Sequence, residues 1–356
     1  MIIRELRVNN IRPYDIYTAP LNAGVTLILG RNGAGKTTLL ESIYYLLQGT
    51  SFKGRDRDMV AHTAVQSHLL LVDDSGIERR ASLQLLPDDT LKKAFVIDQK
   101  TTARMPAKYR APVVLFEPDE LRLLSSSPQR RRQFFDGILS RLSPQYATTL
   151  SRYQRVLLQR NELLKHQADT PAATWDAHVF AWDITFTELA DTIVRYRRKL
   201  IAESNDRVSA LYSGMAGGSH TIHATYQSAL PPATYSQNLL RQLEQRRHAD
   251  AARGFTSIGP HRDDFLVHLD GHLASEAASR GEMRTIMLAY KLLEVELQQR
   301  AYGSNPIILM DDVFSELDSS REQQLMAALK DYQTIITATD LRDELKINAS
   351  IITLAP

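Results

Sequence analysis

The rhythm of apolar and polar positions divides this chain into three regions. Up to about residue 115, short apolar runs alternate with turn residues: "VTLIL" at 25–29, "HLLLVDDSGIERRASLQLL" at 68–86 and "APVVLF" at 111–116. Runs of this length between turn signals predict strands, and the Asp-Asp-Ser-Gly at 73–76 predicts an antiparallel hairpin. Residues 116–250 read as mostly helical, with Leu150, Leu157 and Leu164 recurring every seven positions beside Tyr153 and Leu163. The stripe fails after two or three heptads, too soon for a long coiled-coil arm. "SGMAGGSH" at 213–220 and "LPPATYS" at 230–236 interrupt it and predict loops. From residue 255 strand texture returns. "DFLVHLDGHLAS" carries an Asp-Gly turn at 270–271, a helix is predicted over about 280–300, and the strands "PIILM" and "QTIITATD" follow. The two α/β ends are predicted to share one sheet, with the helical middle inserted. The expected domains are 1–115 together with 301–356, and 116–300.

Composition narrows the class. A chain of 356 residues, 43% hydrophobic and 24% charged, has room for about two domains with cores of their own. A formal net charge of +2 means that any nucleic-acid surface must be a local patch. There is no cysteine, hence no disulfide and no thiolate metal site, which fits a reducing cytosol. The start "MIIRELRVNN" lacks the apolar core of a signal peptide, and no apolar run reaches membrane-spanning length. The expectation is a soluble, cytoplasmic protein without a membrane partner.

Three motifs carry chemistry. Gly30, Gly33, Gly35, Lys36 and Thr37 fit G-x-x-x-x-G-K-[ST] between a predicted strand and a predicted helix. Glycines there let backbone N–H groups close on phosphates, Lys36 reaches the β and γ phosphates, and the Thr37 hydroxyl suits Mg²⁺. The plain alternative is a Gly-rich turn without a ligand. In "PIILMDDVFSELDSS", Asp311 ends a buried strand as a direct or indirect Mg²⁺ ligand, and Asp312 follows where a base could orient water. The alternative is a strand emerging into solvent. Asp318 is a weaker candidate that also fits an ordinary helix N-cap. Ser279 and Gly281 in "ASRGEMRT" precede a helix and offer a second phosphate grip, against the alternative of a simple cap.

The order of these motifs resembles the ABC-type ATPase heads and, within them, the RecF family. The likeness is carried by "GRNGAGKTTLLESIYYLLQGTSF", "VVLFEPDELRLLSSSPQRRRQFFD", "LSPQYATTLSRYQRVLLQRNELL", "TSIGPHRDDF", "ASRGEMRT" and "DDVFSELD", in order from about residue 22 to 340. The resemblance implies an α/β head: lobe I with a mixed sheet, the phosphate loop and antiparallel hairpins, and an inserted, mainly helical lobe II. It implies an ATP-dependent homodimer that clamps double-stranded or gapped DNA and acts with RecO and RecR to help RecA load. Slow, weak, DNA-dependent hydrolysis would release it, and it would sit in the cytoplasm on the bacterial nucleoid. Carried over, Gly30, Arg31, Asn32, Gly33, Ala34, Gly35, Lys36, Thr37 and Thr38 bind ATP. Thr37 and Asp311 hold Mg²⁺, and Lys36, Asp311 and Asp312 are catalytic. Ser279 and Gly281 touch the γ-phosphate from the other subunit, and Ser279, Arg280, Gly281 and Asp318 lie at the dimer interface.

The sequence departs from the family pattern in places. Thr38 replaces the usual asparagine, Ser126 replaces a glycine, and Glu282 and Met283 stand where two glutamines are usual. A carboxylate at Glu282 would repel a γ-phosphate unless Arg280 or Arg284 offsets it. Thr337 or Thr339 stands where transporter ATPases place a histidine, and Glu117, or less closely Gln99, stands for the glutamine of other ABC heads.

For DNA, Pro128 to Lys165 holds eight basic residues (Arg130, Arg131, Arg132, Arg141, Arg152, Arg155, Arg160 and Lys165) against Asp136 and Glu162. A second cluster comprises Arg195, Arg197, Arg198 and Lys199. Arg130, Arg131, Arg152, Arg155, Arg195 and Arg198 are the DNA candidates, against the alternatives of a solvated face or, for 130–132, an internal brace. In "GPHRDD", His261 and Arg262 face either a ligand or a structural salt-bridge network with Asp263 and Asp264. The competing functions are the ATP-binding subunit of a transporter, an SMC-like structural protein, and a RecF-like protein turned to phage defence.

Overall fold

The structure, a computed structural model, describes residues 1–339 and 349–354. Its contacts fall into two units, Met1–Glu120 with Glu294–Pro356, and Leu121–Leu293.

The first unit holds two sheets. Strands β1 (Ile3–Ile11), β2 (Tyr14–Pro20), β4 (Gln66–Asp73), β5 (Glu78–Leu85), β6 (Leu91–Ile97) and β7 (Lys100–Thr102) form an antiparallel sheet in the order β2-β1-β4-β5-β6-β7. Strand β4 alternates buried and more exposed positions, as a strand with one covered face must. The predicted turn at 73–76 joins β4 to β5, with Asp73 Oδ1 accepting the N–H groups of Ser75 and Ile77. The second sheet is all parallel, in the order β14-β3-β13-β12-β8: β14 (Ala349–Thr353), β3 (Val25–Leu29), β13 (Thr334–Ala338), β12 (Ile307–Asp311) and β8 (Val113–Phe116). Every residue of β12 and β13 is buried, matching their unbroken apolar runs. The two ends of the chain thus share a sheet. Asp340, last in "QTIITATD", lies outside the described residues.

Helix α1 (Lys36–Gln48) contributes Leu39, Leu40, Ile43, Leu46 and Leu47 to a core shared with Leu6, Val8 and Leu71 of the antiparallel sheet and Ile28, Leu309 and Ile335 of the parallel one. Two buried glutamines fasten this unit. Gln333 bonds the Ile3 N–H and carbonyl, each at 2.7 Å, and Gln298 does the same for Val113 at 3.0 Å, so the edge strand β8 is covered. Short helix α2 (Pro118–Leu121) follows β8, and α9 (Ser319–Ala328) follows β12.

The second unit comprises α3 (Pro128–Leu142), α4 (Pro144–Lys165), α5 (Ala172–Ala216), β9 (Ile222–Gln227), α6 (Tyr235–Arg253), β10 (Asp264–Leu269), β11 (His272–Leu273), α7 (Ala274–Ala277) and the start of α8 (Arg280–Tyr302). Three details differ from the sequence reading. The face of α4 turned inward carries Tyr146, Tyr153, Arg160 and Leu164, while Leu150 and Leu157 are only half-buried. Helix α5 runs through Ser213 to Ala216, and the chain turns only at Gly217 and Gly218, whose φ of 74° and 83° suit glycine. "IHATYQ", inside the region read as helical, is β9. It alternates buried Ile222 and Ala224 with exposed neighbours and pairs antiparallel with β10, and the Asp-Gly turn joins β10 to β11.

The interior of this unit holds buried charge. Arg197 on α5 binds Asp136 on α3 through two bonds of 2.8 Å and donates to the Pro260 carbonyl at 2.7 Å. Fully buried Arg160 lies 2.6 Å from Asp183 and donates to Thr256 Oγ1 at 2.8 Å. His261 sits between Tyr153 Oη, 2.6 Å from Nδ1, and the Thr256 carbonyl, 3.0 Å from Nε2. Both contacts suit a neutral ring whose Nε2–H donates to Thr256 and whose Nδ1 accepts from tyrosine. Burial pushes its pKa from 6.5 down to about 4. Between about pH 6.5 and 4 the unfolded chain therefore binds a proton that the folded unit refuses. The stabilisation is complete above this window and is lost as pH falls through it. The urea midpoint of wild type should drop more steeply there than that of His261→Gln, which keeps a donor and an acceptor but does not titrate. Parallel slopes would refute the assignment.

Candidate functional site

The phosphate-loop residues follow β3 and run into α1. Gly33 and Gly35 have φ of 86° and 90°, and a Cβ at Gly35 would meet Tyr14 Oη at 2.6 Å and Pro13 Cγ at 2.8 Å, so glycine is required there. Tyr14 Oη also donates to the Ala34 carbonyl at 3.1 Å. Lys36 Nζ lies 2.7 Å from the Gly30 carbonyl and 3.0 Å from that of Arg31, across the loop. Asn32 and Gly33 line the cavity, Arg31 is exposed, and Thr38 is buried with its carbonyl accepting from Ser42 Oγ.

The acidic strand end meets this loop. Thr37 Oγ1 donates to Asp311 Oδ1 at 2.7 Å, across a sequence separation of 274 residues. The two side chains and Asp312 line a cavity of about 650 Å³ together with Arg12, Pro13, Asn32, Gly33, Gly35, Lys36, Thr38, Lys53, Glu117, Pro118 and Asp119. Asp312 takes a left-handed conformation, φ 54°, and its carboxyl is raised above the usual range by burial, opposed by Lys36 and reinforced by Asp311. The hydroxyl of Thr37 and the carboxylate of Asp311 are hard oxygen donors, the set that Mg²⁺ takes when it keeps waters and phosphate oxygens as its remaining ligands. Among the described residues there is no cluster of three or more His, Cys, Asp or Glu able to hold a metal unaided.

The structure separates residues that the sequence left as alternatives. Thr337 is fully buried opposite Asp311, with Oγ1 2.9 Å from Asp311 Oδ1 and 3.1 Å from the Asp312 N–H. Its hydroxyl therefore braces the two aspartates rather than facing water, whereas Thr339 is exposed beyond the strand end. Glu117 lines the cavity, and Gln99 sits in the exposed β6–β7 turn. Arg12 and Lys53 are cavity residues that sequence reasoning missed. Lys53 Nζ lies 3.8 Å from Asp311 Oδ2. Neither belongs to a motif, and only their position after a strand or after α1 could have signalled them.

In the second unit Ser279 caps α8. Glu282 N–H donates to Ser279 Oγ at 3.3 Å and Glu282 Oε2 accepts the Ser279 N–H at 2.7 Å, a reciprocal capping box. Arg280 and Arg284 line a cavity of about 460 Å³ with Arg122 and Ser125, and Gly281 accepts from Thr285 Oγ1. Asp318 is the N-cap of α9, accepting from the Arg321 N–H at 2.9 Å.

Of the basic residues, several are internal. Arg131 is held by Asp264 through bonds of 3.0 and 2.5 Å, Arg132 donates to the Asp263 carbonyl, and Arg160 and Arg197 are buried in the pairs above. This corrects the inclusion of Arg131 among DNA candidates and places Asp263 and Asp264 in a structural network; Tyr226 Oη donates to Asp263 at 2.6 Å. Arg262 lies over the Phe255 ring. Arg130, Arg152, Arg155 and Arg195 are exposed, Arg195 beside Asp191, and Arg198 is half-buried over the Tyr226 ring.

A parallel sheet with a phosphate loop after β3 and paired aspartates at the end of β12, with β13 between the two strands, is the arrangement of an ABC-type ATPase head. The model of the RecF/RecN/SMC N terminal domain matches residues 2–350. The chain is 34% identical to the DNA replication and repair protein RecF of Chloroflexus aurantiacus, over 96% of this chain and 93% of that one. It is 32% identical to the RecF of Agathobacter rectalis, over 97% and 94%. A solved structure of the recombination mediator protein RecF with ATP, in the RecFOR pathway, has the same fold: TM-score 0.84 and 24% identity over 96% and 93% of the two chains. An SMC head bound to the C-terminal winged-helix domain of ScpA gives 0.53 at 15% identity over 99% and 94%. The chain belongs to the RecF family.

Arg131 and Arg152 part company in a simple measurement. Arg131→Ala strands the Asp264 carboxylate, which is 13% exposed, and should lower unfolding stability by about 3 kcal/mol. Arg152→Ala, on the exposed face of α4, should change it by less than about 0.5 kcal/mol. Equal stabilities in urea would remove Arg131 from its bracing role.

Proposed function

We propose that this chain is an ATP-gated DNA clamp of recombinational repair, a weak ATPase that dimerises on ATP, closes on double-stranded or gapped DNA, and helps RecA load together with RecO and RecR. The observation that carries the reading is the 2.7 Å contact between the Thr37 hydroxyl and Asp311 at the mouth of the phosphate loop. It joins a phosphate grip to a carboxylate suited to Mg²⁺, as hydrolysis of a nucleoside triphosphate requires. The RecF relatives and the ATP named with the solved neighbour support ATP as the ligand.

In this reading the loop N–H groups from Gly30 to Thr38 cradle the phosphates, and Lys36 turns from the Gly30 and Arg31 carbonyls to them. Thr37 and Asp311 would hold Mg²⁺, which would supply neutralisation of phosphate charge. Asp312, lining the cavity beside Lys36, accepts the proton of the water that attacks the γ-phosphorus while the ADP oxygen leaves. Turnover is slow. Thr337 is occupied in bracing the aspartates, no imidazole stands at Thr339, and Asp312 is a methylene shorter than glutamate. Ser279, Arg280, Gly281 and Asp318 face the second copy, with Ser279 and Gly281 directed to its γ-phosphate. Arg130, Arg152, Arg155, Arg195 and Arg198 contact DNA phosphates without reading bases. No helix among the described residues is long and apolar enough to cross a membrane, and we place the protein in the cytoplasm, on the nucleoid.

The decisive test is binding to a fluorescent gapped duplex at physiological salt, with ATP, without nucleotide, and with Lys36→Ala. Binding should require ATP and vanish with Lys36→Ala; millimolar affinity indifferent to ATP would overturn the clamp. For the chemistry, wild-type turnover should fall well below the enzyme median of about 10 s⁻¹. Thr337→Val should lower it by a further 10- to about 100-fold, and Thr337→Ser should restore most of the loss. A Thr337→Val enzyme as fast as wild type would sink the bracing role.

A further inference from the structure

Behind the phosphate loop lies a carboxylate to which the mechanism above gives no task. Glu41, in the second turn of α1, is fully buried. A charge in such a place needs partners, and its partners come from two segments that flank the cavity. Arg12 Nη1 lies 2.5 Å from Oε2 and Nη2 3.4 Å from Oε1, while the Ser51 hydroxyl donates to Oε1. Ser51 Oγ in turn accepts the N–H groups of Lys53 and Gly54, each at 3.2 Å. One donor and two acceptor sites exhaust what a hydroxyl offers. Arg12 is held further by its Nε bond to the Asp58 carbonyl at 2.9 Å and by a left-handed backbone, φ 44°.

Both cations at the ends of these chains line the 650 Å³ cavity, and Glu41 does not. We propose that Glu41 is a positioning residue for nucleotide binding: it acts through Arg12 directly, and through Ser51 on Lys53, to set two cations facing the phosphates. The proposal rests on the ATP reading of the cavity. A long basic side chain loses rotamer freedom when it engages an anion, and fixing Arg12 beforehand removes that loss from binding, while at Lys53 the bond to Ser51 fixes the backbone from which the side chain reaches the cavity. A merely structural ion pair would hold Arg12 alone. Here the same carboxylate also anchors the turn that carries Lys53, whose Nζ reaches within 3.8 Å of Asp311.

The test titrates the full-length chain with a fluorescent ATP analogue and Mg²⁺, in a double-mutant design with thermal melts alongside. Glu41→Gln should weaken binding by about tenfold, or 1.4 kcal/mol. In an Arg12→Met/Lys53→Met background the same change should matter by less than about twofold, because its intermediaries are gone. Equal losses in both backgrounds, or unchanged affinity in Glu41→Gln, would overturn the proposal. Should Glu41→Gln fail to fold, Ser51→Ala decides: it should weaken binding when Lys53 is present and not when Lys53 is Met, and no effect in either case overturns the link. Absence of nucleotide binding by wild type would instead overturn the ATP reading, and this inference with it.

Discussion

The parallel register of β3, β13 and β12 is the constraint on which the site depends. Asp311 lies opposite Thr337, and Ala338 lies opposite Leu29, the last residue before the phosphate loop. Since all three strands run the same way, their carboxyl ends emerge together, and ligands of α/β sheets bind in the crevice there. Only this register brings Thr37 within 2.7 Å of Asp311. A slip of one residue would turn Asp311 to the other face and remove Thr337 from it. The sheet is held against such a slip by its fully buried central strands, by Gln298, which bonds the backbone of edge strand β8, and by Gln333, which ties the start of β13 to Ile3 of β1.

The second unit is specified differently, by charge buried inside it. Arg197 with Asp136, Arg160 with Asp183, and Arg131 with Asp264 each fix one element against another. Such pairs contribute little net stability over apolar substitutes, yet breaking one leaves a charge in a medium that solvates it poorly. They therefore select one packing of α3, α4, α5 and the β10 start over its neighbours. The same residues inflate the basic count of this region in the sequence. Charge density along a chain does not distinguish an arginine facing solvent from one facing an aspartate 61 residues away, as Arg197 faces Asp136.

This explains what could be read in advance. The phosphate loop and the Asp-Asp strand end were legible because their chemistry needs contiguous backbone, and the two Asp-Gly or Ser-Gly hairpins because turns are local. The exact inward face of α4 was not, since Tyr146, Tyr153 and Arg160 are buried by tertiary contacts that outweigh the leucine repeat. Nor was β9, whose six residues become a strand by pairing with β10, forty residues on. Arg12 and Lys53 stood in no motif, and Glu41, inside the stretch after the phosphate loop, was given no role. Their relation exists only once β1, α1 and the segment after α1 have come together.

Glu282 shows what geometry adds to a local departure from a family pattern. In the proposed ATP-bound dimer, a carboxylate at the start of α8 would face repulsion from an opposing γ-phosphate. In the fold, its Oε2 is turned back onto the Ser279 N–H at 2.7 Å. It lies in the first turn of α8, where the helix dipole favours negative charge, and it satisfies a backbone donor that would otherwise lack an intrahelical partner. Ser279 Oγ accepts the Glu282 N–H in exchange, which fixes the serine at the helix start. Arg280 and Arg284, one position after Ser279 and one turn further on, line the adjoining cavity. The substitution thus trades an amide for a capping carboxylate whose charge is engaged at the helix start.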